Sequence, residues 1–195
     1  GASFIAETVF SDPVGDKQAL KAPGLLQKYH GRVLLLVTEA CPIHCRYCFR
    51  REFPYSESRQ GLEQWNSALR YISADEQINE VILSGGDPLI LADAKLADLV
   101  KRLSTIPQVE TLRIHTRMPV VLPSRVTGEL LDWLRDCSLN IVVVLHSNHP
   151  NEIDDRVGLA LQQLRQAGAQ LLNQSVLLRR VNDDPAILAK HSQCL

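Results

Sequence analysis

The sequence predicts an α/β protein in which parallel strands and helices alternate to form a partial (β/α) barrel or an open sheet. Three observations carry this. Short β-branched runs recur at Val33–Val37, Val81–Leu83, Leu112–Ile114, Ile141–Leu145 and Leu171–Leu178. Apolar residues between them keep a helical spacing. Each run is followed by a polar, chemically able stretch, as expected where the carboxyl ends of parallel strands share one ligand-binding edge.

Strands alternating with helices call for parallel pairing and right-handed crossovers. The helical stretches are marked by Leu62, Trp65, Leu69 and Ile72, by Leu96, Val100 and Leu103, by Leu130, Leu131 and Leu134, and by Ile153, Val157, Leu161 and Leu164. Asp93 and Thr127 are placed to cap helix starts, while Pro107 and Gly168 follow helix ends. Five strand–helix units result, the last ending in Pro185–Leu195. A closed eight-unit barrel takes about 250 residues, so five units make a partial one. Residues 1–30 read as an N-terminal extension with little regular structure, and residues 31–195 as the barrel core.

Composition narrows the function. A chain of 195 residues that is 45% hydrophobic buries a real core. Its formal net charge of −1 argues against general nucleic-acid binding. The longest apolar runs are far too short to span a membrane. Gly1–Asp12 lacks a basic n-region and carries Glu7, unlike a signal peptide. With isolated cysteines at 137 and 194, this predicts a cytoplasmic protein without disulfides.

The chemistry is announced by Cys41, Cys45 and Cys48, a C-x3-C-x2-C cluster placed directly after the first strand. Three thiolates without a nearby fourth suit a [4Fe–4S] cube whose fourth iron stays open to a ligand. The alternative is a zinc module closed by a histidine, although structural zinc usually draws on a second ligand pair.

The second strand runs into Ser84-Gly85-Gly86-Asp87-Pro88, where paired glycines allow close backbone approach to a ligand or form a plain turn. Arg113, His115 and Arg117 alternate along the third strand and share one face. His115 and Arg117, nearer the carboxyl end, are expected to meet a ligand; for Arg113, pairing with Glu80 or Glu110 is an equal expectation. His146 follows the fourth strand. Lys28, Tyr29, His30 and Arg32 form either a solvated basic turn or a phosphate site, Arg46, Arg50 and Arg51 flank the cysteines, and Asp183 and Asp184 read as a turn.

The cysteine loop, with Tyr47 before its last cysteine, resembles the radical S-adenosylmethionine (radical SAM) superfamily. Several longer stretches are similar to its lysine 2,3-aminomutase family: 28–38, 45–51, 84–89, 116–125, 148–153 and 173–178. Phe49 and the Phe-Pro-Tyr at 53–55 most resemble the bacterial branch that supplies β-lysine to elongation factor P. The resemblance implies a partial barrel of the radical SAM type and three cofactors: a [4Fe–4S] cluster on Cys41, Cys45 and Cys48, S-adenosyl-L-methionine, and pyridoxal 5′-phosphate. Ser84, Gly85, Gly86 and Asp87 would border the methionine moiety, with Tyr47, His115, Arg117 and His146 also facing cofactor. Lys28, Tyr29 and Arg32 would cradle the pyridoxal phosphate, Arg50 would grip the substrate carboxylate, and Asp183 would pair with the distal ammonium of L-lysine.

The partners so implied are L-lysine and a reductase or flavodoxin-type electron donor, with a homo-oligomer left open. A related aminomutase acting on another amino acid, such as glutamate, is the alternative within the class. The chain departs from the family in lacking its glycine-rich pyridoxal-lysine segment, so it reads as a central fragment, expected to be inactive alone. Arg180 also stands where a glycine is usual.

Overall fold

A computed structural model describes residues 12–50 and 62–195. Seven strands form one sheet in strict chain order: β1 (Leu20–Ala22), β2 (Leu25–Tyr29), β3 (Arg32–Thr38), β4 (Glu80–Gly85), β5 (Thr111–Thr116), β6 (Asn140–Leu145) and β7 (Gln170–Asn173). The five from β3 to β7 are parallel and correspond to the five expected runs; β1 and β2 add antiparallel at one edge. The main helices are α1 (Leu62–Ala74), α2 (Asp93–Leu103), the single turn α3 (Met118–Val121), α4 (Gly128–Asp136), α5 (Asp155–Gln166) and α6 (Pro185–Cys194).

Because each strand adds beside the one before it, right-handed crossovers deliver every helix between two parallel strands to the same face. The packing shows this directly. Val33, Leu35, Val37, Val81, Leu83, Leu112, Ile114, Ile141, Val143 and Leu145 join the helical Trp65, Leu69, Ile72, Leu96, Leu103, Leu130, Leu134, Val157, Leu161 and Leu164 in one core. The alternate strand residues face away from it. This is the one-sided winding of a barrel; the sheet itself is open rather than closed.

Three expectations change. Residues 17–29 carry a 3-10 turn and the hairpin strands β1 and β2 instead of little regular structure, because Leu25 reaches the main core while Ala19 and Leu26 pack on Leu36. Of the run Leu171–Leu178 only the first three residues lie in a strand, after which side-chain amides take over the hydrogen bonding. Thr127 caps α4 by accepting from Leu130 N at 3.2 Å, but Asp93 does not cap α2. Its carboxylate instead receives both terminal nitrogens of Arg125 at 2.9 Å and Trp133 Nε1 at 3.1 Å, tying α2 to α4. The expectations for residues 1–11, Arg51 and 53–55 lie outside the described residues.

Candidate active site

The carboxyl ends of all five parallel strands meet around a cavity of about 240 Å³. That is just below the usual range for small-molecule sites, roughly 300–1,000 Å³. Its walls hold Cys41, Cys45 and Cys48 after β3, Ser84 to Asp87 at β4, His115 and Arg117 at β5, His146 and Asn148 after β6, and Gln174 after β7. Tyr47, Phe49 and Arg50 close the side nearest the cysteines. The sheet edge chosen from the sequence is therefore the edge that carries the cavity.

The paired glycines line the cavity and also admit the backbone of the cysteine loop. A Cβ on Gly85 would strike the carbonyl oxygen of Thr38, and one on Gly86 would strike that of Ala40. The close approach they permit is to the start of the cysteine loop. Gly86 N donates to Thr38 O at 2.7 Å and Asp87 N to Ala40 O at 2.8 Å, so the two strand ends are stitched together. Asp87, buried, accepts from Thr116 Oγ1 at 2.6 Å, Arg117 N at 2.8 Å, Leu89 N at 3.1 Å and Met118 N at 3.2 Å. Its carboxylate binds the β4 and β5 loops to each other.

Arg117 and Asn148 brace the cysteine loop through its Tyr47. Arg117 donates to the Tyr47 hydroxyl and to Cys45 Sγ at 3.5 Å, stacks 5.9 Å from the Tyr47 ring centre, and pairs with Glu152 at 2.9 Å. Asn148 Nδ2 also donates to the Tyr47 hydroxyl, at 2.5 Å. Burial holds the Tyr47 phenol above its usual range.

His115 and His146 meet edge-on, with His146 Nε2 3.4 Å from His115 Nδ1. Burial pushes His115 down to about 4, helped by the charges of His146, Arg113 and Arg50. Burial also lowers His146. Both imidazoles are neutral at neutral pH, so the pair offers a ligand neutral donors and acceptors. Cys41 is raised to about 11 by burial, then by Asp87 and the other two cysteines. Thiolates crowded in this way call for a cation to hold them ionised.

Arg50 reaches the cavity with two nitrogens already engaged: Nε donates to Asp16 Oδ2 at 2.8 Å and a terminal nitrogen to Ser84 Oγ at 3.0 Å. The remaining expected residues stand elsewhere. Arg113 points its guanidinium at Glu80, which also pairs with Arg32 at 3.5 Å, so the acidic partner holds Arg113. Lys28 pairs with Asp16 at 2.5 Å. Tyr29, 70% exposed, sits opposite Arg32 at the amino end of β3, seven residues or about 20 Å of strand from the cysteine loop. Asp183 is exposed and accepts from Arg180 N at 2.9 Å. None of these five lines the cavity.

Residues 35–186 match the family model of the radical SAM superfamily. The chain belongs to the radical SAM superfamily. It is 49% identical over 183 residues to the L-lysine 2,3-aminomutase of Haemophilus influenzae, covering 94% of this chain and 54% of that protein. To the protein of the same name from Escherichia coli it is 46% identical over 191 residues, covering 98% and 56%. The Clostridium subterminale L-lysine 2,3-aminomutase is 43% identical over 173 residues, covering 88% and 41%. The chain thus spans about half the length of the curated relatives it matches.

Membership of the radical SAM superfamily implies a [4Fe–4S] cluster and S-adenosylmethionine. The donor chemistry fits: three cysteines on one irregular loop face one cavity, with Arg117 placed to offset thiolate charge. Among the described residues no three His, Cys, Asp or Glu side chains gather as ligands of a single metal ion. A cube makes a different demand, since it gives each thiolate an iron of its own.

Sequence reasoning missed four contributors. Asn148 and Gln174 lay inside the similar stretches 148–153 and 173–178 but carried no assigned role. Asn182, fully buried, donates to Asn148 O and Val176 O and accepts from Leu178 N, pinning the segment after β7. Asp16 lay in what read as an extension, with no local signal at all.

Proposed function

We propose that the protein containing this chain is a radical SAM aminomutase that converts L-lysine to β-lysine by 2,3-amino migration. One observation supports this above the others: Arg50, the residue matching the family's carboxylate-binding arginine, lines the same cavity as Cys41, Cys45 and Cys48. The name shared by the relatives supplies the substrate. When bound, the cluster and S-adenosylmethionine supply a carbon radical able to take hydrogen from an unactivated carbon.

The chain's own residues do the positioning. Cys41, Cys45 and Cys48 would hold the cluster, and neutral His115 and His146 would donate to and accept from the polar groups of S-adenosylmethionine. Arg50 would bind the substrate carboxylate through a planar, charge-assisted contact. Leu34, Ile43, Phe49 and Val176 add apolar wall that excludes water from a reactive radical. Pyridoxal 5′-phosphate enters through the resemblance of residues 28–38. Lys28 and Arg32 hold the acidic partners Asp16 and Glu80 off the cavity. Family resemblance adds an external electron donor to the same proposal, and Phe49 with residues 53–55 adds delivery of β-lysine to elongation factor P.

The test is anaerobic loading of the whole protein with iron, sulfide and its organic cofactors, then chromatography of the products from L-lysine and from L-glutamate under dithionite. β-Lysine formed from L-lysine alone supports the reading. Turnover of glutamate in its place moves the substrate. A reduced-cluster paramagnetic signal indifferent to S-adenosylmethionine defeats the mechanism.

A further inference from the structure

Asp16 is 2% exposed, a carboxylate almost wholly removed from water. Its position is built with care. Asp12 accepts the backbone amides of Asp16 at 2.8 Å and of Lys17 at 2.9 Å, and Gly15 at φ +69 turns the chain between them. The Asp16 oxygens then divide: Oδ1 takes Lys28 Nζ at 2.5 Å and Oδ2 takes Arg50 Nε at 2.8 Å. Lys28 is held further by Val14 O at 2.6 Å, and Arg50 by Ser84 Oγ at 3.0 Å. Lys28, Asp16, Arg50 and Ser84, remote in sequence, form one polar chain from the hairpin strand β2 to the end of β4.

We propose that Asp16 is the positioning residue that fixes Arg50 as the receptor for a substrate carboxylate. This rests on the reading of Arg50 given above. Arg50 and Ser84 line the cavity and Asp16 does not, so the acid grips the guanidinium from behind and leaves the ligand's place open. Two cations against one carboxylate leave an excess positive charge for an anion. An unbraced arginine on an irregular loop would lose rotamer freedom on each binding event; the brace meets that cost during folding. Charge-assisted bonds to both Asp16 oxygens also tie strand β2 to the site.

The test uses the whole protein with its cofactors, without reductant so that nothing turns over, and reads calorimetric dissociation constants. Two ligands are compared: L-lysine, and pentane-1,5-diamine, which keeps both amines and lacks the carboxylate. Asp16→Asn is expected to weaken L-lysine about ten-fold while leaving the diamine unchanged. Equal weakening of both makes Asp16 a purely structural residue, and tighter L-lysine binding makes it a competitor for Arg50; either result overturns the proposal. Arg50→Gln separates the two claims. If it fails to discriminate between the ligands, the reading of Arg50 itself is wrong; if it discriminates and Asp16→Asn does not, only Asp16 is misassigned. Asp16→Ser goes through the same titrations should Asp16→Asn not fold, and failure of both to fold overturns a positioning role in favour of a folding one.

Discussion

His146 Nε2 lies 3.4 Å from His115 Nδ1, with the two rings nearly perpendicular at 86°. Neither ring can gain a proton cheaply, because both are buried and a charge on one opposes a charge on the other. His115 therefore ties stability to pH. Its folded value near 4 lies below the ordinary 6.5, so between these values the unfolded chain binds more protons. Stability then rises with pH across that window and is lost on acidification from 6.5 toward 4, by about 3 kcal/mol at most. Urea midpoints at pH 7.5 and 4.5 will show the drop, and His115→Gln should remove most of its own share. An unchanged slope in that variant would assign the acid sensitivity elsewhere.

Gly86→Ala should destabilise by about 2 kcal/mol, because the new methyl would have to displace the Glu39–Ala40 backbone. The same change at Gly158, in α5 with open space around it, should stabilise by about 0.5–1 kcal/mol through helix propensity. Paired thermal melts will test the contrast. Iron bound per chain should fall for Gly86→Ala alone, since Gly86 sets where the cysteine loop begins.

Arg180 has φ +61, the left-handed region, and is alone among the described non-glycine residues in doing so. Arg180→Gly relieves about 1–2 kcal/mol of strain but adds about 0.5–1 kcal/mol of unfolded-chain entropy. The net expectation is a gain of about 0.5 kcal/mol, measurable as a raised denaturation midpoint. A loss would mean that the Arg180 side chain makes contacts that outweigh its backbone strain.

Cys48→Ala should abolish iron–sulfur loading, whereas Cys137→Ala should leave it intact. Cys137 lies beyond the carboxyl end of α4, 4.0 Å from Ser104 Oγ, and takes no part in the cavity. Visible absorption at about 400 nm and iron analysis distinguish the two. Full loading of Cys48→Ala would remove the third thiolate from the ligand set.

The strands and helices were legible because burial on one face writes period 2 and period 3.6 into the apolar residues. The cysteine loop was legible because its ligands are close in sequence. Reading failed where a residue's partner is distant. Asp93 looked like a cap, since caps are local, yet Arg125 and Trp133 claim it across 32 and 40 residues. Gly85 and Gly86 line the cavity as expected of a ligand cradle, but their close approach to the Thr38–Ala40 backbone carried no local sign.

What the sequence determined by itself is the α/β winding, the strand edge that carries the chemistry, and the three thiolates placed on it. The tertiary structure alone decided which charges meet. It put Glu80 on Arg113, Asp16 behind Arg50 and His146 against His115, and left Lys28, Tyr29, Arg32 and Asp183 off the cavity. The physical reason is range: periodicity and loop spacing are local properties of a chain, whereas a charge takes its role from whatever the fold brings within a few ångströms of it.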